Sequence, residues 1–176
     1  MRFVETPIEG VFVIEVERLM DPRGFFARSW CAEEFRARGL NPRLAQCNIS
    51  FNERRGTLRG LHYQAAPHEE AKIARCTMGA LHDVAVDLRS GSSTRGQSFA
   101  VELTAENRRM LYVPEGVAHG FQTLIDATEI FYQMSDWYHP ESARAIRWDD
   151  PTLAIRWPIA DPILSDADRE GTFWAP

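Results

Sequence analysis

Apolar and polar residues alternate with a period of two along most of this sequence, and turn residues interrupt the alternation at short intervals. A β-strand has this period because successive side chains point to opposite faces of the sheet. The segments predicted as strands are 10–17, 25–30, 44–50, 56–64, 71–78, 80–88, 97–103, 109–113, 119–123 and 128–135. So many β segments without repeated helical crossovers predict an all-β fold, an antiparallel sandwich of the jelly-roll kind.

Two short segments have a helical pattern. Residues 31–38 place acidic residues early and arginines late, and Gly39 follows as a stop signal. Residues 162–171 resemble a capped helical turn. We expect the first helix to lie outside the sandwich. Because no linker or fixed-period repeat interrupts the 176 residues, we expect a single domain over residues 1–176.

Charge and composition exclude several classes of protein. A formal net charge of −5 without any block of basic residues argues against binding to nucleic acid. No apolar run approaches the roughly 18 residues of a membrane span, so we expect no membrane association. The three cysteines are odd in number and lack CxxC spacing, which indicates neither a disulfide framework nor a zinc knuckle. We therefore expect a soluble, cytoplasmic protein.

Lysine is almost absent from this chain. Lys72 is its only lysine, and every other residue among the 20 lysines and arginines is an arginine. A GC-rich genome would explain the shortage, but it would not explain the one exception. Lys72 is therefore a candidate for a role that arginine cannot fill.

An arginine and a histidine lie three residues apart in the predicted strand 56–64. Strict alternation would place Arg59 and His62 on opposite faces, unless the strand twists or bulges between them. If both side chains reach one cavity, they would supply a base that titrates near neutral pH and a cation for an anionic substrate. The alternative is a structural histidine, which is the commoner role of a lone histidine in an apolar strand.

A second histidine follows a Pro-x-Gly turn at residues 114–116, which would deliver His119 to the start of a strand. A β-barrel metal site would need further ligands, commonly from an HxH pair. Tyr63 and Gln64 follow His62, so that pair is missing. We therefore expect no metal in this site and assign acid–base chemistry to its histidines.

A series of short motifs, spread in order over most of the chain, carries a resemblance to a known family. They are DPRGFF at 21–26, QCN at 46–48, LRGLH at 58–62, Lys72 before ARC at 74–76, DVAVDLR at 83–89, LTAEN at 103–107, PEG at 114–116, HGF at 119–121, and Tyr132. The chain resembles the RmlC-type sugar-nucleotide epimerases, the family of dTDP-4-dehydrorhamnose 3,5-epimerase in the cupin superfamily.

The resemblance implies a cupin double-stranded β-helix, a homodimer and catalysis without a cofactor or metal. The implied substrate is a nucleoside-diphosphate sugar, most simply a dTDP-linked 4-keto-6-deoxyhexose, whose C3 and C5 are inverted. Both carbons flank the C4 ketone, so loss of a proton from either gives an enolate. Reprotonation from the opposite face then inverts the centre.

By resemblance, four residues form the catalytic set. His62 would be the base, and Asp168 would orient it and stabilise the imidazolium. Tyr132 would be the acid on the opposite face, and Lys72 would stabilise the oxyanion at C4. Without the resemblance, Tyr132 reads as an ordinary strand aromatic and Asp168 as a residue that serves a helix N-terminus.

The resemblance also assigns residues that contact the diphosphate and the pocket. Arg59 and Arg23 would bind the diphosphate, since guanidinium groups match paired phosphate oxygens. Gln46 and Asn48 would line the pocket for the nucleotide and sugar.

Aromatic residues are assigned to the base, and a second histidine to the site itself. Trp137 would stack on the base, and Phe26 would reach the same base from the partner subunit. Trp137 also fits a rim position in the sandwich. His119, together with Asp83, would support the site rather than react.

Four positions near these motifs depart from the family pattern, at Arg28, Ile49, His82 and Gln133. None of them is a proposed catalytic residue, so epimerisation remains the expected activity. They leave open a single-centre epimerase and an enzyme for a CDP- or GDP-linked sugar. A non-catalytic cupin that binds a sugar nucleotide is a third reading.

Overall fold

The structure is a computed structural model that describes residues 1–175, which form thirteen strands and two short helices. The strands are β1 (Arg2–Glu5), β2 (Phe12–Glu15), β3 (Leu19–Asp21), β4 (Gly24–Phe26), β5 (Gln46–Asn52), β6 (Leu58–Gln64), β7 (Lys72–Met78), β8 (Ala80–Asp87), β9 (Ser98–Thr104), β10 (Met110–Val113), β11 (Val117–Thr123), β12 (Thr128–Met134) and β13 (Ala143–Ala145). The helices are α1 (Ala32–Arg36) and α2 (Asp166–Arg169).

Two antiparallel sheets make up the body of the protein. The six-stranded sheet has the order β1-β2-β10-β7-β12-β5, and the five-stranded sheet has the order β13-β6-β11-β8-β9. Strands distant in sequence are neighbours, as where β10 lies between β2 and β7. The predicted all-β jelly-roll sandwich is confirmed.

The main core fills the space between the two sheets. Alternate residues of the strands point into it, such as Ala74 and Cys76 from β7 against Leu81 and Ala85 from β8. Strand β11 is buried along its whole length, because both faces of its sheet are covered. Phe121 of β11 packs into the core between the sheets, and Ala118 packs into a second cluster on the outer face.

Helix α1 packs outside the sandwich, as predicted, although it is shorter than the segment 31–38. Its Phe35 is fully buried, with ring centroids 5.3 Å from Phe3 and 5.6 Å from Tyr112. These aromatic contacts hold the helix on the six-stranded sheet. Among residues 1–175, no helix has the length and apolar character that a membrane span requires.

The largest difference from the predicted strands lies at residues 25–30. Strand β4 ends at Phe26, and it pairs only with β3 in a separate hairpin. Leu19, Met20 and Phe26 are between 67% and 71% exposed there. Strands β1, β3 and β13 were not predicted, because three or four residues are too few to establish an alternation.

Strand β6 contains a bulge between Arg59 and His62, where the sequence analysis had considered a twist or bulge. His62 pairs with His119, and Arg59 pairs with Phe121, so Gly60 and Leu61 together face one residue of β11. The extra residue turns Arg59 and His62 to the same side of the strand. The strictly alternating arrangement is therefore wrong, and the bulged one is confirmed.

Gly60 makes this bulge possible. Its φ is +129°, and a Cβ atom there would lie 2.5 Å from the Cα of Gly120. We expect Gly60→Ala to lower the free energy of unfolding by about 3 kcal/mol, since left-handed strain and a backbone clash add together. Urea denaturation measures this. Gly91→Ala is the matched control, because a Cβ there meets nothing within 4 Å; equal stability of the two variants would contradict the role of Gly60.

Candidate active site

A cavity of about 310 Å³ lies between the two sheets, and each sheet supplies one wall. The five-stranded sheet contributes Arg59, His62, His119 and Phe121, and the six-stranded sheet contributes Asn48, Ile49, Ser50, Lys72, Tyr132 and Met134. A neighbouring cavity of about 400 Å³ shares three of these residues, His62, Lys72 and Met134.

His62 and Asp168 form a hydrogen-bonded pair at the edge of the cavity. The distance from His62 Nε2 to Asp168 Oδ1 is 2.6 Å, and the histidine is half-exposed while the carboxylate is buried. The Ser165 hydroxyl donates to Asp168 Oδ2 at 2.8 Å, and the Gly60 amide donates to Oδ1 at 3.3 Å. Burial alone would raise the pKa of Asp168, but the contact with His62 and the other hydrogen bonds hold that pKa below its usual range.

Helix α2 explains why Asp168 is fixed in place. Ser165 is the N-cap, and its hydroxyl accepts a hydrogen bond from the Asp168 amide at 3.1 Å. Asp168 therefore lies in the first turn of the helix and also contacts the histidine. The two readings of this residue from the sequence describe the same arrangement.

Because the pKa of Asp168 is lowered in the folded protein, we predict that this carboxyl group makes stability depend on pH. A carboxyl group with a lower pKa in the folded state stabilises the fold fully above its unfolded pKa of about 3.9, and it loses that contribution as the pH falls through the folded pKa. We expect the unfolding free energy of the wild type to fall more steeply than that of Asp168→Asn below about pH 4. Denaturant titrations measure this, with the exposed Asp161→Asn as control. Parallel curves for wild type and Asp168→Asn would contradict the expectation.

His119 lies across from His62 and has its own carboxylate partner. Its Nε2 is 2.8 Å from Asp83 Oδ1, and both side chains are buried. The other oxygen of Asp83 is buried without a hydrogen-bond partner among residues 1–175. The His119 ring meets the Tyr132 ring edge-on, with centroids 6.0 Å apart. His119 thus lines the cavity while its ring is held by Asp83 and packs against Tyr132, and its supporting role stays a prediction.

Tyr132 faces the cavity from strand β12, on the wall opposite His62. Burial raises the pKa of the Tyr132 phenol well above its usual value, the Asp83 carboxylate adds to this, and the Arg59 guanidinium opposes it. The phenol therefore stays protonated at neutral pH. It is suited to donate a proton rather than to accept one.

Two cations line the cavity, each held by a polar partner. Lys72 Nζ is 2.9 Å from Glu70 Oε1, and both side chains are largely buried. Arg59 Nε donates to Asn52 Oδ1 at 2.9 Å. These contacts fix one ammonium and one guanidinium at the border of the cavity, where they favour an anionic ligand.

Five of the predicted site residues do not line this cavity. Gln46 accepts a hydrogen bond from the Tyr138 amide at 3.0 Å, and Trp137 is 55% exposed on the same segment. Arg23 and Phe26 lie on the exposed β3–β4 hairpin, where Arg23 pairs with Asp21. Six of the eleven predicted residues line the cavity: Asn48, Arg59, His62, Lys72, His119 and Tyr132. Asp168 does not line it but is hydrogen-bonded to His62.

Sequence reasoning missed the residues that hold the polar groups in place. Ser165 and Glu70 were not predicted as site residues, although each lies a short distance in sequence before the residue that it contacts. Ser165 precedes Asp168 by three residues, as a helix cap does. Glu70 precedes Lys72 by two residues, just before strand β7 begins. The apolar wall formed by Phe121 and Met134 carries no such signal.

This fold and cavity define a cupin-type enzyme whose two sheets present a candidate base and a candidate acid from opposite walls. A family model described as dTDP-4-dehydrorhamnose 3,5-epimerase matches residues 5–175. The dTDP-4-dehydrorhamnose 3,5-epimerase of Shigella flexneri is 41% identical over 172 residues, which span 97% of this chain and 94% of that protein. The chain belongs to the dTDP-4-dehydrorhamnose 3,5-epimerase family, whose members are isomerases.

Two further relatives show the range of the family. The crystal structure of dTDP-6-deoxy-D-glucose-3,5-epimerase RmlC from Legionella pneumophila, in complex with dTDP-4-keto-L-rhamnose, has a TM-score of 0.90 and 38% identity, and covers 98% of this chain and 92% of that one. A dTDP-4-dehydrorhamnose 3-epimerase of Streptomyces niveus is 39% identical over 176 residues, which span 99% of this chain and 84% of that protein. Sequence similarity of this order is therefore found in both a 3,5-epimerase and a 3-epimerase.

Proposed function

We propose that this enzyme inverts C3 and C5 of dTDP-4-dehydro-6-deoxy-D-glucose to give dTDP-4-dehydro-L-rhamnose. The observation that carries the proposal is the placement of His62 and Tyr132 on opposite walls of one cavity. Inversion needs a proton removed from one face of the sugar and another delivered to the other face. The C4 ketone acidifies both neighbouring carbons, so these proton transfers need no redox cofactor.

His62 is the base in this scheme. Its Nε2 donates to the Asp168 carboxylate, which leaves Nδ1 as the nitrogen that accepts the substrate proton. The buried carboxylate then stabilises the imidazolium that forms. Asp168 is in turn held by the N-cap of helix α2.

Tyr132 and Lys72 complete the reaction. The protonated phenol of Tyr132 delivers a proton to the face opposite His62. Lys72 stabilises the negative charge that develops on the C4 oxygen, for which a compact ammonium held by Glu70 is suited.

The nucleotide is bound in part by a second subunit in this scheme, so we propose a homodimer. Arg59, with Asn48, binds the diphosphate and sugar within one subunit, and Trp137 with Gln46 forms the side that receives the base. The exposed hairpin supplies Arg23 and Phe26 to the partner's cavity; its exposed apolar side chains support this role.

Mixing two impaired variants tests the dimer. In a mixed dimer of Arg23→Ala and His62→Asn chains, one site has an intact His62 from the first chain and an intact Arg23 from the second. We expect activity to rise after the two variants are unfolded and refolded together. If no activity returns although mixed dimers form, the hairpin does not serve the partner's cavity.

We also place the reaction in the cytoplasm. Cys31, Cys47 and Cys76 are free thiols, and Cys47 is exposed. An exposed free thiol is typical of proteins in a reducing compartment. Fractionation of the source cells, with detection of the protein by antibody, checks this placement.

The activity is tested by the stereochemistry of the product. We expect NMR couplings to show inversion at both C3 and C5 of the dTDP-linked sugar, with a higher kcat/KM than for CDP- or GDP-linked sugars. Equal kcat/KM values would contradict the proposed nucleotide, and no conversion of any substrate would indicate a non-catalytic sugar-nucleotide-binding protein.

A single-centre epimerase is the second candidate. Ile49, one of the positions that depart from the family pattern, lines the cavity. Gln133, another such position, is buried on β12 beside Tyr132, and its Oε1 has no partner among the described residues. Inversion at one carbon alone in the same experiment would favour this candidate.

A further inference from the structure

Outside the cavity, two histidines and an aspartate converge from two loops. The loops join β6 to β7 and β12 to β13, and the residues are His68, Asp136 and His139, here called the loop cluster. One potential ligand atom from each lies within 4.8 Å of the other two, and all three residues are half-buried. The two imidazole rings are stacked, with centroids 3.6 Å apart and an interplanar angle of 8°.

Glu141 adds a second carboxylate beside the loop cluster. Its Oε1 is 3.2 Å from His139 Nδ1 and 3.9 Å from His68 Nε2. Its side chain is 66% exposed, so it is free to change rotamer. Two imidazoles and two carboxylates are therefore available at one place.

One buried amide side chain holds the two loops together. Gln64 Nε2 donates to the carbonyls of His68 at 2.9 Å and Trp137 at 3.0 Å, and Gln64 Oε1 accepts from the His139 amide at 2.6 Å. The same nitrogen is 3.3 Å from Glu70 Oε2. The backbone around the loop cluster is thus fixed before any ligand arrives, which lowers the ordering cost of binding.

We propose that the loop cluster binds one divalent transition-metal ion of the borderline class that Zn²⁺ represents. Imidazole nitrogens and carboxylate oxygens are the ligands that such ions take, at about 2.0–2.2 Å. Donor atoms around a tetrahedral ion lie roughly 3.4 Å apart, so those of the loop cluster need to approach by about 1.5 Å at most. Rotation of one imidazole out of the stack and of the Asp136 side chain supplies that movement.

Asp136 already has a cationic partner, which the metal ion would have to displace or share. Arg43 Nη2 is 3.2 Å from Asp136 Oδ1. The Arg43 side chain is 56% exposed, so it can turn into solvent at little cost. The pair shows that the position already favours a positive charge.

The position of the loop cluster gives a bound ion a structural role. Trp137 and Tyr138 lie between Asp136 and His139 in the chain, and Tyr138 lines the cavity of about 400 Å³ beside the catalytic one. An ion held from both ends of this segment would fix it against the 65–71 loop. The inference does not depend on the proposed reaction, because none of the ligands lines the cavity that holds His62 and Tyr132.

Calorimetric titration of the chelator-treated full-length protein with Zn²⁺ tests the site. We expect one ion per chain for the wild type and a loss of affinity of about 100-fold or more for the His68→Asn/His139→Asn double variant. Asp136→Asn should also weaken binding, whereas Asp161→Asn, the same change at an exposed aspartate elsewhere, should not.

His62→Asn separates this site from the other histidine–carboxylate pair. That variant should bind Zn²⁺ as tightly as the wild type. A loss of binding in His62→Asn, equal affinity of the double variant and the wild type, or no stoichiometric binding by the wild type would each overturn the proposal.

Thermal unfolding supplies a readout that does not rely on calorimetry. Excess Zn²⁺ should raise the Tm of the wild type, since an ion that binds only the folded state stabilises it. The Tm of the folded double variant should not respond. An equal rise in both proteins would contradict the loop cluster as the binding site.

Discussion

The His62→Asn variant is expected to lose about 1,000-fold in kcat and to stop exchanging solvent deuterium at both C3 and C5. His62 is the half-exposed imidazole of the cavity, whereas His119 is buried and held by Asp83. Among the residues that the structure describes, the other imidazole that lines the cavity is therefore not free to replace it. Asparagine keeps a polar group near the buried Asp168 carboxylate, so the fold should persist.

Binding of dTDP separates loss of the base from loss of the pocket. Its affinity, measured by calorimetry, should change little in His62→Asn, because the diphosphate is assigned to arginines. The matched control is His82→Phe, which removes a histidine outside the cavity and keeps a ring against Trp157. A normal exchange rate in His62→Asn would show that another group is the base.

For Tyr132→Phe we expect product formation to fall by about 100-fold or more while proton abstraction continues. Phenylalanine preserves the ring that packs against His119 and Phe121. It removes only the phenol, whose raised pKa keeps it protonated at neutral pH. In deuterium oxide, the half-exposed imidazolium of His62 would exchange its proton for a solvent deuteron and return that deuteron to the same face of the sugar. Deuterium therefore enters the substrate without inversion.

The control for this variant is the same substitution at Tyr112. That tyrosine is buried outside the cavity, and its hydroxyl accepts a hydrogen bond from the Asn41 amide. Tyr112→Phe should lower stability and leave product stereochemistry intact. If Tyr132→Phe yields the inverted product at the rate of the wild type, Tyr132 is not the acid.

The sequence pattern predicted strands correctly where a strand is long and has a buried face. The predicted segment 128–135 matches β12, and 80–88 matches β8, each to within one residue. The hairpin formed by β3 and β4 was not recognised as a separate sheet. Its strands have three residues each and are exposed along their length, so no buried face imposes a pattern.

Arg59 and His62 show what a local pattern cannot decide. Their shared orientation depends on a bulge against Gly120, a residue of another strand about 60 positions away in the chain. From the sequence we could say only that a twist or bulge would be needed for both side chains to face the same side of the strand. The structure shows that the absence of a side chain at Gly60 and the close approach of β11 permit it.

Contacts between distant residues were predicted through the family resemblance rather than through physical patterns. Asp168 and His62 are 106 residues apart, and their pairing depends on how helix α2 docks beside β6. The sequence pattern likewise does not distinguish Tyr132 from other aromatic residues in strands. Only the packing of the two sheets shows that it lines the cavity. The supporting residues Ser165 and Glu70 were identified only from their contacts with Asp168 and Lys72 in the structure.

The central claim is that protons leave from, and return to, the carbons beside the C4 ketone. It is tested most directly by incubating the wild-type enzyme with dTDP-4-dehydro-6-deoxy-D-glucose in deuterium oxide and measuring C3 and C5 of the product by NMR. We predict inversion with one solvent deuteron at each carbon. Inverted product that retains its original hydrogen at either carbon would contradict this mechanism.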